Sequence, residues 1–406
     1  MTHSWMNAKT YMPGSLSQCS ARLHRVRSFA TTSHCCKQQR APAAYYRGGA
    51  SRAIMFRSQD LPKDKSLWPH IFRSTIGSPD SHGRRLDGMG GGLSSLSKVC
   101  VIGPSEDSNA DVDYTFAAIG VKNDEVDFSS NCGNMTGAVG PFAVDSGLVS
   151  RSENGSTSVA IRNTNTNKLI RATFEVEDGE AVADGDFAIE GVSGTASKIQ
   201  LSFLDPAGAK TGRMLPTGNV TDMLDGIEST CVDVGNPCVF VRAEDLGVKG
   251  SMLAEEIEAH PTLLKALDGI RRKAAVAMGI VDDESKVPGS IPKIAMVSEP
   301  HIHKLGSGLT LGEESCDLVI RAISVGQPHK ACPITVGLAL ATAAKLKGST
   351  VQSCVSTSPV DNDGITLGHN SGRMLVGASF DEQGAVQEAT VFSTARRLMD
   401  GTVYWK

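Results

Sequence analysis

The chain is 406 residues long, 40% hydrophobic and 21% charged, with a formal net charge of -4; that length fits two domains, or three small ones, each with its own core. The longest apolar run, residues 334–344, is about half of the roughly 20 residues that a membrane-spanning helix needs, so no membrane span is expected. The slightly negative charge and the lack of basic runs interleaved with aromatics argue against nucleic acid as a partner, and scattered cysteines without zinc-ligand spacing argue against a metal or disulfide framework.

In chain order, the first segment reads as a different polymer. No Asp or Glu occurs from Met1 to Gln59, while Lys9, Arg22, Arg25, Arg27, Lys37 and Arg40 stand among Ser, Thr and Ala. This is the composition of a mitochondrial transit peptide, with Arg27-Ser28-Phe29-Ala30-Thr31-Thr32 as a processing site. Residues 1–43 are expected to form a leader, with the first strand near Tyr45. The location expected is mitochondrial, with a cytoplasmic one as the alternative.

The remainder divides into halves, 44–210 and 211–406, because it repeats itself. Met55-Phe56-Arg57-Ser58-Gln59-Asp60-Leu61 is echoed by Phe240-Val241-Arg242-Ala243-Glu244-Asp245-Leu246, a strand leaving into an acidic turn both times. Lys98-Val99-Cys100-Val101-Ile102 is echoed by Lys293-Ile294-Ala295-Met296-Val297, and Ala118-Ile119-Gly120-Val121 by Ala322-Ile323-Ser324-Val325. Each half then enters a helix of small apolar residues, one after Asn131-Cys132-Gly133-Asn134 and one after His329-Lys330. A helix apolar all round is buried, so each half should wrap a curved, mostly antiparallel sheet around one central helix, an α+β fold. Residues 157–162 and 169–176 flank an Asn/Thr-rich turn and predict a hairpin. Residues 252–278, split by Pro261 and with Leu263, Leu264, Leu267 and Ile270 on one face, predict helical scaffold. The last strand is expected to return to the first half.

Candidate chemistry concentrates in Asp87-Gly88-Met89-Gly90-Gly91-Gly92-Leu93-Ser94-Ser95-Leu96-Ser97-Lys98 and in the Asn131-Cys132-Gly133-Asn134 turn. A cysteine where a helix begins meets unsatisfied backbone N–H groups and the positive end of the dipole, which favour its thiolate or a bound carboxylate. The plainer alternative is an inert core cysteine. Lys98 opens a strand, where burial would suit an amine base, although from this stretch alone a solvated strand-end lysine is the simpler reading. The glycine run precedes a strand instead of following one, so it is not a dinucleotide loop. His301 and His303 lack a third ligand and are expected on a surface loop, and Asp361-Asn362-Asp363-Gly364 makes a turn.

Taken together, Asp87 to Lys98, Asp113-Tyr114, Asn131-Cys132-Gly133-Asn134-Met135, Gly140-Pro141-Phe142-Ala143, Leu215-Pro216-Thr217-Gly218-Asn219, Gly235-Asn236-Pro237, Gly326-Gln327-Pro328-His329, Gly368-His369-Asn370-Ser371-Gly372-Arg373 and Ala395-Arg396-Arg397-Leu398-Met399-Asp400-Gly401 resemble the PrpF family. That family comprises 2-methylaconitate cis-trans isomerases, aconitate and methylitaconate delta-isomerases and 4-oxalomesaconate tautomerases. The resemblance implies the diaminopimelate-epimerase-like fold, two pseudo-symmetric halves with the site in the cleft between them. It implies Lys98 as the catalytic lysine and Cys132 as its partner. It places Ser51, Arg52, Ser94, Ser95, Gly133, Asn134, Met135, His329, Ser371, Gly372 and Arg373 around the substrate. Arg47-Gly48-Gly49-Ala50-Ser51-Arg52-Ala53 departs from the family's Arg-Gly-Gly-Thr-Ser-Lys-Gly at Ala50, Arg52 and Ala53, so the substrate is the least fixed of these inferences.

The expected function is a cofactor-independent 1,3-proton shift in a small unsaturated di- or tricarboxylate, with no nucleic acid, membrane or metal partner and with a homodimer left open. Two alternatives stand beside it. A two-base amino-acid epimerase would need a second thiol opposite Cys132, but aligning Val139-Gly140 with Val336-Gly337 puts His329 there, not Cys332. A non-catalytic binder or accessory protein of an iron–sulfur dehydratase would keep the fold without turnover.

Overall fold

The computed structural model describes residues 37–406, apart from 122, 129, 130, 151, 152, 290 and 325. Most of the expected leader therefore lies outside the described residues. The first half contains β1 (Gln39–Gly48), β2 (Ser51–Arg57), α1 (Trp68–Ile76), β3 (Lys98–Pro104), β4 (Val112–Ile119), β5 (Val126–Asp127), α2 (Gly133–Asp145), β6 (Gly155–Asn163), β7 (Lys168–Glu177), β8 (Glu180–Ala181) and β9 (Ile199–Leu204). Then follow β10 (Asp222–Leu224), β11 (Ile227–Val234), β12 (Asn236–Arg242), α3 (Ala254–Ala259), α4 (Leu263–Ala277), β13 (Lys293–Ser298), β14 (His303–Lys304), β15 (Thr310–Leu311), β16 (Leu318–Ser324), β17 (Gln327–Pro328), α5 (Ile334–Lys345), β18 (Ile365–His369), β19 (Gly372–Phe380), β20 (Val386–Ser393) and β21 (Ala395–Trp405).

The halves repeat pairing for pairing. β1–β2 and β11–β12 are antiparallel, β2–β3 and β12–β13 parallel, β3–β4 and β13–β16 antiparallel, β4–β6 and β16–β18 parallel. The repeat extends to side chains. Arg57 Nε donates to Asp60 at 2.7 Å where the chain leaves β2, and Arg242 Nε to Asp245 at 2.9 Å where it leaves β12. The Asp111 carboxylate accepts the Ala160 N–H at 2.7 Å, as the Asp317 carboxylate accepts the Thr366 N–H at 2.6 Å. The two sets of strands join where β9 pairs with β20, and β21 crosses back to pair with β1.

The central helices follow from composition. Every residue from Met135 to Val144 in α2 and from Val336 to Ala344 in α5 is buried, with a charge only at each helix's last residue. Enclosing such helices removes every face from water, at about 1.5–3 kcal/mol for each fully buried Val, Leu or Phe. Outer faces are covered by α1 on β2 and β3, and by α4 on β12 and β13, giving two further apolar clusters. The helical scaffold breaks at Pro261 as expected, with Leu263, Leu267 and Ile270 buried.

Two expectations need correction. β1 starts at Gln39, ahead of Tyr45, because residues 39–43 pair with Trp405 to Gly401 of β21; partner strand, not β-propensity, defines this segment. His303 is 4% exposed and not on a surface loop, since β14 carries its ring against Gly368 and Cys316.

Candidate active site

Lys98 is the first residue of β3 and 9% exposed. Strand alternation puts Lys98, Cys100 and Ile102 on the α2 face, and Val99 and Val101 on the α1 face. Its register neighbours are small, Ala53 on β2 and Ala118 on β4, so the long side chain has room on the inner face. Its Nζ lies 5.1 Å from the Phe116 ring centroid, a cation–π contact. Among the described residues no carboxylate pairs with it.

Cys132 is the residue before α2 and is half-buried. The first intrahelical bond runs from the Thr136 N–H to the Cys132 carbonyl at 3.0 Å, so the N–H groups of Gly133, Asn134 and Met135 precede it and remain available to an anion. No acidic residue occupies that first turn. Lys98 and Cys132 share a neighbour, the buried Cys100. Burial pushes the Cys100 thiol up, a Cys132 thiolate pushes it further up, and the Lys98 ammonium pulls it down. The amine and the half-buried thiol thus both lie within electrostatic reach of Cys100. Beneath them, Cys100 Sγ lies 3.8 Å from the Tyr114 hydroxyl, whose own pKa burial also raises.

The β1–β2 hairpin packs against the start of α2. Asn134 Nδ2 reaches Ser51 Oγ at 3.5 Å, and Gly48 lies so near that a Cβ there would stand 2.7 Å from the Asn134 carbonyl oxygen. Gly49, at φ +51°, leaves space that the Asn134 side chain fills, where any other residue would be strained. Arg47 Nη1 ties the hairpin to Thr394, donating to its carbonyl at 3.1 Å and its hydroxyl at 2.8 Å. Ser94 and Ser95 lie in a short turn that delivers Lys98, Ser94 exposed and Ser95 half-buried.

Two predicted substrate contacts do not join the group. Arg52 lies on the opposite face of β2 from Ser51 and Ala53, and its guanidinium stacks 5.7 Å from the Tyr45 ring centroid; period-2 alternation turns it away from Lys98. The Met135 side chain is wholly buried in the core, which leaves only its backbone toward the helix start.

The second half contributes through its own helix start. A Cβ on Gly133 would come within 2.7 Å of Ile334 Cδ1, so the N-termini of α2 and α5 touch and glycine permits the approach. Asn370 Nδ2 donates to the His329 carbonyl at 3.3 Å, and Ser371 Oγ to the Lys330 carbonyl at 2.6 Å, fastening the β18–β19 turn to the segment before α5. Packing around the His329 ring and the nearby Lys293 ammonium hold its pKa below the usual value. Gly372 abuts the Glu190 side chain, and a Cβ on Gly191 would lie 3.9 Å from Ala50, so one loop spans from the first half's hairpin tip to the second half's turn. Arg373 is exposed beside that turn. Cys332 is buried, and burial pushes its thiol up to about 12, which unfits it as the second base of an epimerase.

Sequence reasoning passed over the residues that brace this arrangement. Asn163 is fully buried and donates to Asn131 Oδ1 at 3.3 Å, and Asn131 Oδ1 also accepts from Thr136 Oγ1 at 3.3 Å, which fixes the approach to Cys132. Asn165 Nδ2 donates to the carbonyls of Phe116 at 2.9 Å and Phe128 at 2.7 Å. Ser97 Oγ donates to the carbonyls of Gly91 and Leu93, each at 2.8 Å, and closes the glycine loop before Lys98. The available signal was paired Asn at a hairpin turn and Ser beside a lysine.

Comparison with known proteins agrees with this architecture. Over 90% of its length the chain is 39% identical to a 3-methylitaconate isomerase of Eubacterium barkeri, covering 97% of that protein. It is 36% identical to a 2-methyl-aconitate isomerase of Shewanella oneidensis, again over 90% of this chain and 97% of the relative. A 4-oxalomesaconate tautomerase of Pseudomonas putida is 37% identical over 90% of this chain and 96% of its own. The crystal structure of a methylitaconate-delta-isomerase superposes with a TM-score of 0.84 at 38% identity, over 91% of this chain and 96% of the other. The model of the PrpF protein family matches residues 38–406, and the chain belongs to that family.

Proposed function

We propose that this protein is an isomerase that shifts a proton between the ends of an allylic system in a small unsaturated di- or tricarboxylate, moving the double bond or inverting its geometry. One observation carries the reading: a buried lysine without a carboxylate partner among the described residues and a half-buried thiol at a helix start both lie within electrostatic reach of the buried Cys100. The relatives' names, two isomerases and a tautomerase, supply the reaction class.

Lys98, as the free amine, takes the allylic proton, and the electron pair moves through the double bond into a carboxylate. The N–H groups of Gly133 and Asn134 meet that developing charge; removing one such donor costs about 3–4 kcal/mol in other enzymes. A proton then returns at the far carbon, from Cys132 or from Lys98 itself. The oxidation level of the substrate is unchanged. The candidate acids are aconitate, 2-methylaconitate, itaconate and oxalomesaconate, monitored one by one by proton NMR in deuterated water. Double-bond movement with deuterium at the allylic carbon, lost in Lys98→Ala, supports the reading, and full exchange in Lys98→Ala refutes Lys98 as base.

The acid-free, Arg/Ser-rich leader is the basis on which we propose mitochondrial import, with a cytoplasmic location as the alternative. The residues ahead of β1, 1–38, fused to a fluorescent protein should reach mitochondria, and Arg22, Arg25 and Arg27 changed together to Glu should leave it in the cytosol.

A further inference from the structure

We propose that Asn163 and Asn165, at the turn between β6 and β7, are positioning residues for the proton shift: the first holds Cys132 through Asn131, and the second holds the Lys98 amine through the Phe116 ring. This rests on the isomerase reading above and deepens it, by giving one turn control of both reacting groups. Asparagines in a hairpin turn ordinarily bond their own backbone. Of these two, only the Asn163 carbonyl oxygen does so, accepting the Thr166 N–H at 3.0 Å and the Thr166 hydroxyl at 2.8 Å. The other amide groups link the two residues to each other and reach out of the turn.

The arm to the thiol starts at Asn163, which is fully buried and stands opposite Tyr114 where β6 last pairs with β4. Its Nδ2 donates to Asn131 Oδ1 at 3.3 Å, and Thr136 Oγ1 donates to that same oxygen at 3.3 Å. Thr136 Oγ1 also lies 3.0 Å from the Cys132 carbonyl. Cys132 is therefore held between Asn131 on one side and the first turn of α2 on the other. Its own side chain makes no capping bond to the helix, so neighbours set where the thiol stands.

The arm to the amine starts at Asn165. Between β6, which leaves β4 at Tyr114, and β5, which joins it at Ala118, Phe116 faces no strand on that side. The Asn165 side chain takes the strand's place: its Oδ1 accepts the Phe116 N–H at 2.8 Å and its Nδ2 donates to the Phe116 carbonyl at 2.9 Å. Phe116 is 2% exposed, stands in register with Cys100 on β3, and carries its ring to within 5.1 Å of Lys98 Nζ. A ring face so held favours the ammonium that forms when the amine takes a proton. The arms are joined, because Asn163 Nδ2 lies 3.3 Å from Asn165 Oδ1, and Asn165 Nδ2 also donates at 2.7 Å to the carbonyl of Phe128, in the segment that leads to Cys132. A misplacement of about 1 Å in a reacting pair costs on the order of 10²-fold in rate, and this bracing opposes it.

The test compares wild type with Asn163→Ala, Asn165→Ala, Thr136→Val and Phe116→Leu. Thr136→Val keeps the shape while removing the hydroxyl that Asn131 accepts, so it stands in for Asn163→Ala should that variant not fold, as Phe116→Leu does for Asn165→Ala. On an acid that the wild type isomerises, each should lower kcat by about 10- to 100-fold with KM changed only a few-fold. In a double-mutant cycle the losses from Asn165→Ala and Phe116→Leu should not add, because the first acts through the second. Additive losses overturn the proposal, and so does a rise of KM at constant kcat. Two labelling rates need no turnover and decide even if the wild type isomerises none of the acids. Mass spectrometry should show alkylation of Cys132 by iodoacetamide faster by about fivefold or more in Asn163→Ala, and acetylation of Lys98 by acetic anhydride faster by as much in Asn165→Ala. An unchanged or slower rate in a folded variant rejects its arm and leaves that asparagine a purely structural role.

Discussion

The α2-centred and α5-centred regions share strand order, the Arg–Asp pair at the exit of their second strands, the carboxylate that clips neighbouring strands, and a lysine opening the strand after it. They part at the helix start. α2 begins after a half-buried cysteine whose approach is pinned by Asn131 and Asn163, whereas α5 begins after Pro333, with the nearby Cys332 buried. The duplicated parts are those that hold the sheet. The parts that differ are those that can exchange a proton, so a symmetric frame carries an asymmetric site.

The sharpest way to break this comparison is to treat the two lysines alike. Lys98→Ala should lower turnover by about 10³-fold or more and abolish deuterium incorporation, whereas Lys293→Met should leave kcat within a few-fold. Equal losses would make the site symmetric. The two clipping carboxylates should differ in stability. Asp317 is 1% exposed and accepts the N–H groups of Val360 and Thr366 at 2.8 and 2.6 Å, so Asp317→Ala should cost about 3–4 kcal/mol in urea unfolding. Asp111 is less buried, and Asp111→Ala should cost about half as much.

Acid should also separate the regions. Burial holds His369 down to about 4 from 6.5, and His303 and His329 are lowered as well, while His70 and His82 in the first half are exposed. The unfolded chain then binds the His369 proton more readily than the folded one between these values. Its contribution, about 3 kcal/mol, is complete above pH ~6.5 and disappears as pH falls toward ~4. Hydrogen exchange at pH 5 should accelerate first in β16, β18 and β19; earlier loss in β3 and β4 would contradict this. Among the cysteines, Cys132→Ala should cost about 10²-fold in turnover and Cys332→Ala almost none. Smallest of all, Arg57→Ala and Arg242→Ala should each cost less than about 1 kcal/mol, since both ion pairs are partly exposed.

The repeat was legible because it is written in short strands of the same residue types, and the placement of Lys98 at a strand start and Cys132 at a helix start because these are local events, while the roles of the two came only from the family resemblance. Arg52 was not. β2 is buried on both faces, so Ser51-Arg52-Ala53-Ile54-Met55-Phe56 shows no polar–apolar alternation from which to tell its inner side from its outer. Asn163 and Asn165 read as turn formers, which they are; their bonds to Asn131, Phe116 and Phe128 arise only when the β6–β7 turn meets the end of β4. His303 read as exposed because nothing in its neighbours signals that β14 lies against Gly368.

The return of β21 to β1 sets an order of assembly. During synthesis the early strands emerge first, yet β1 cannot gain its outer neighbour until residues 395–405 have been made, after every strand around α5. The later-made region therefore has all its strands before the earlier one does, and a released chain ending just before Ala395 would present a complete α5 unit beside an α2 unit with β1 still an open edge.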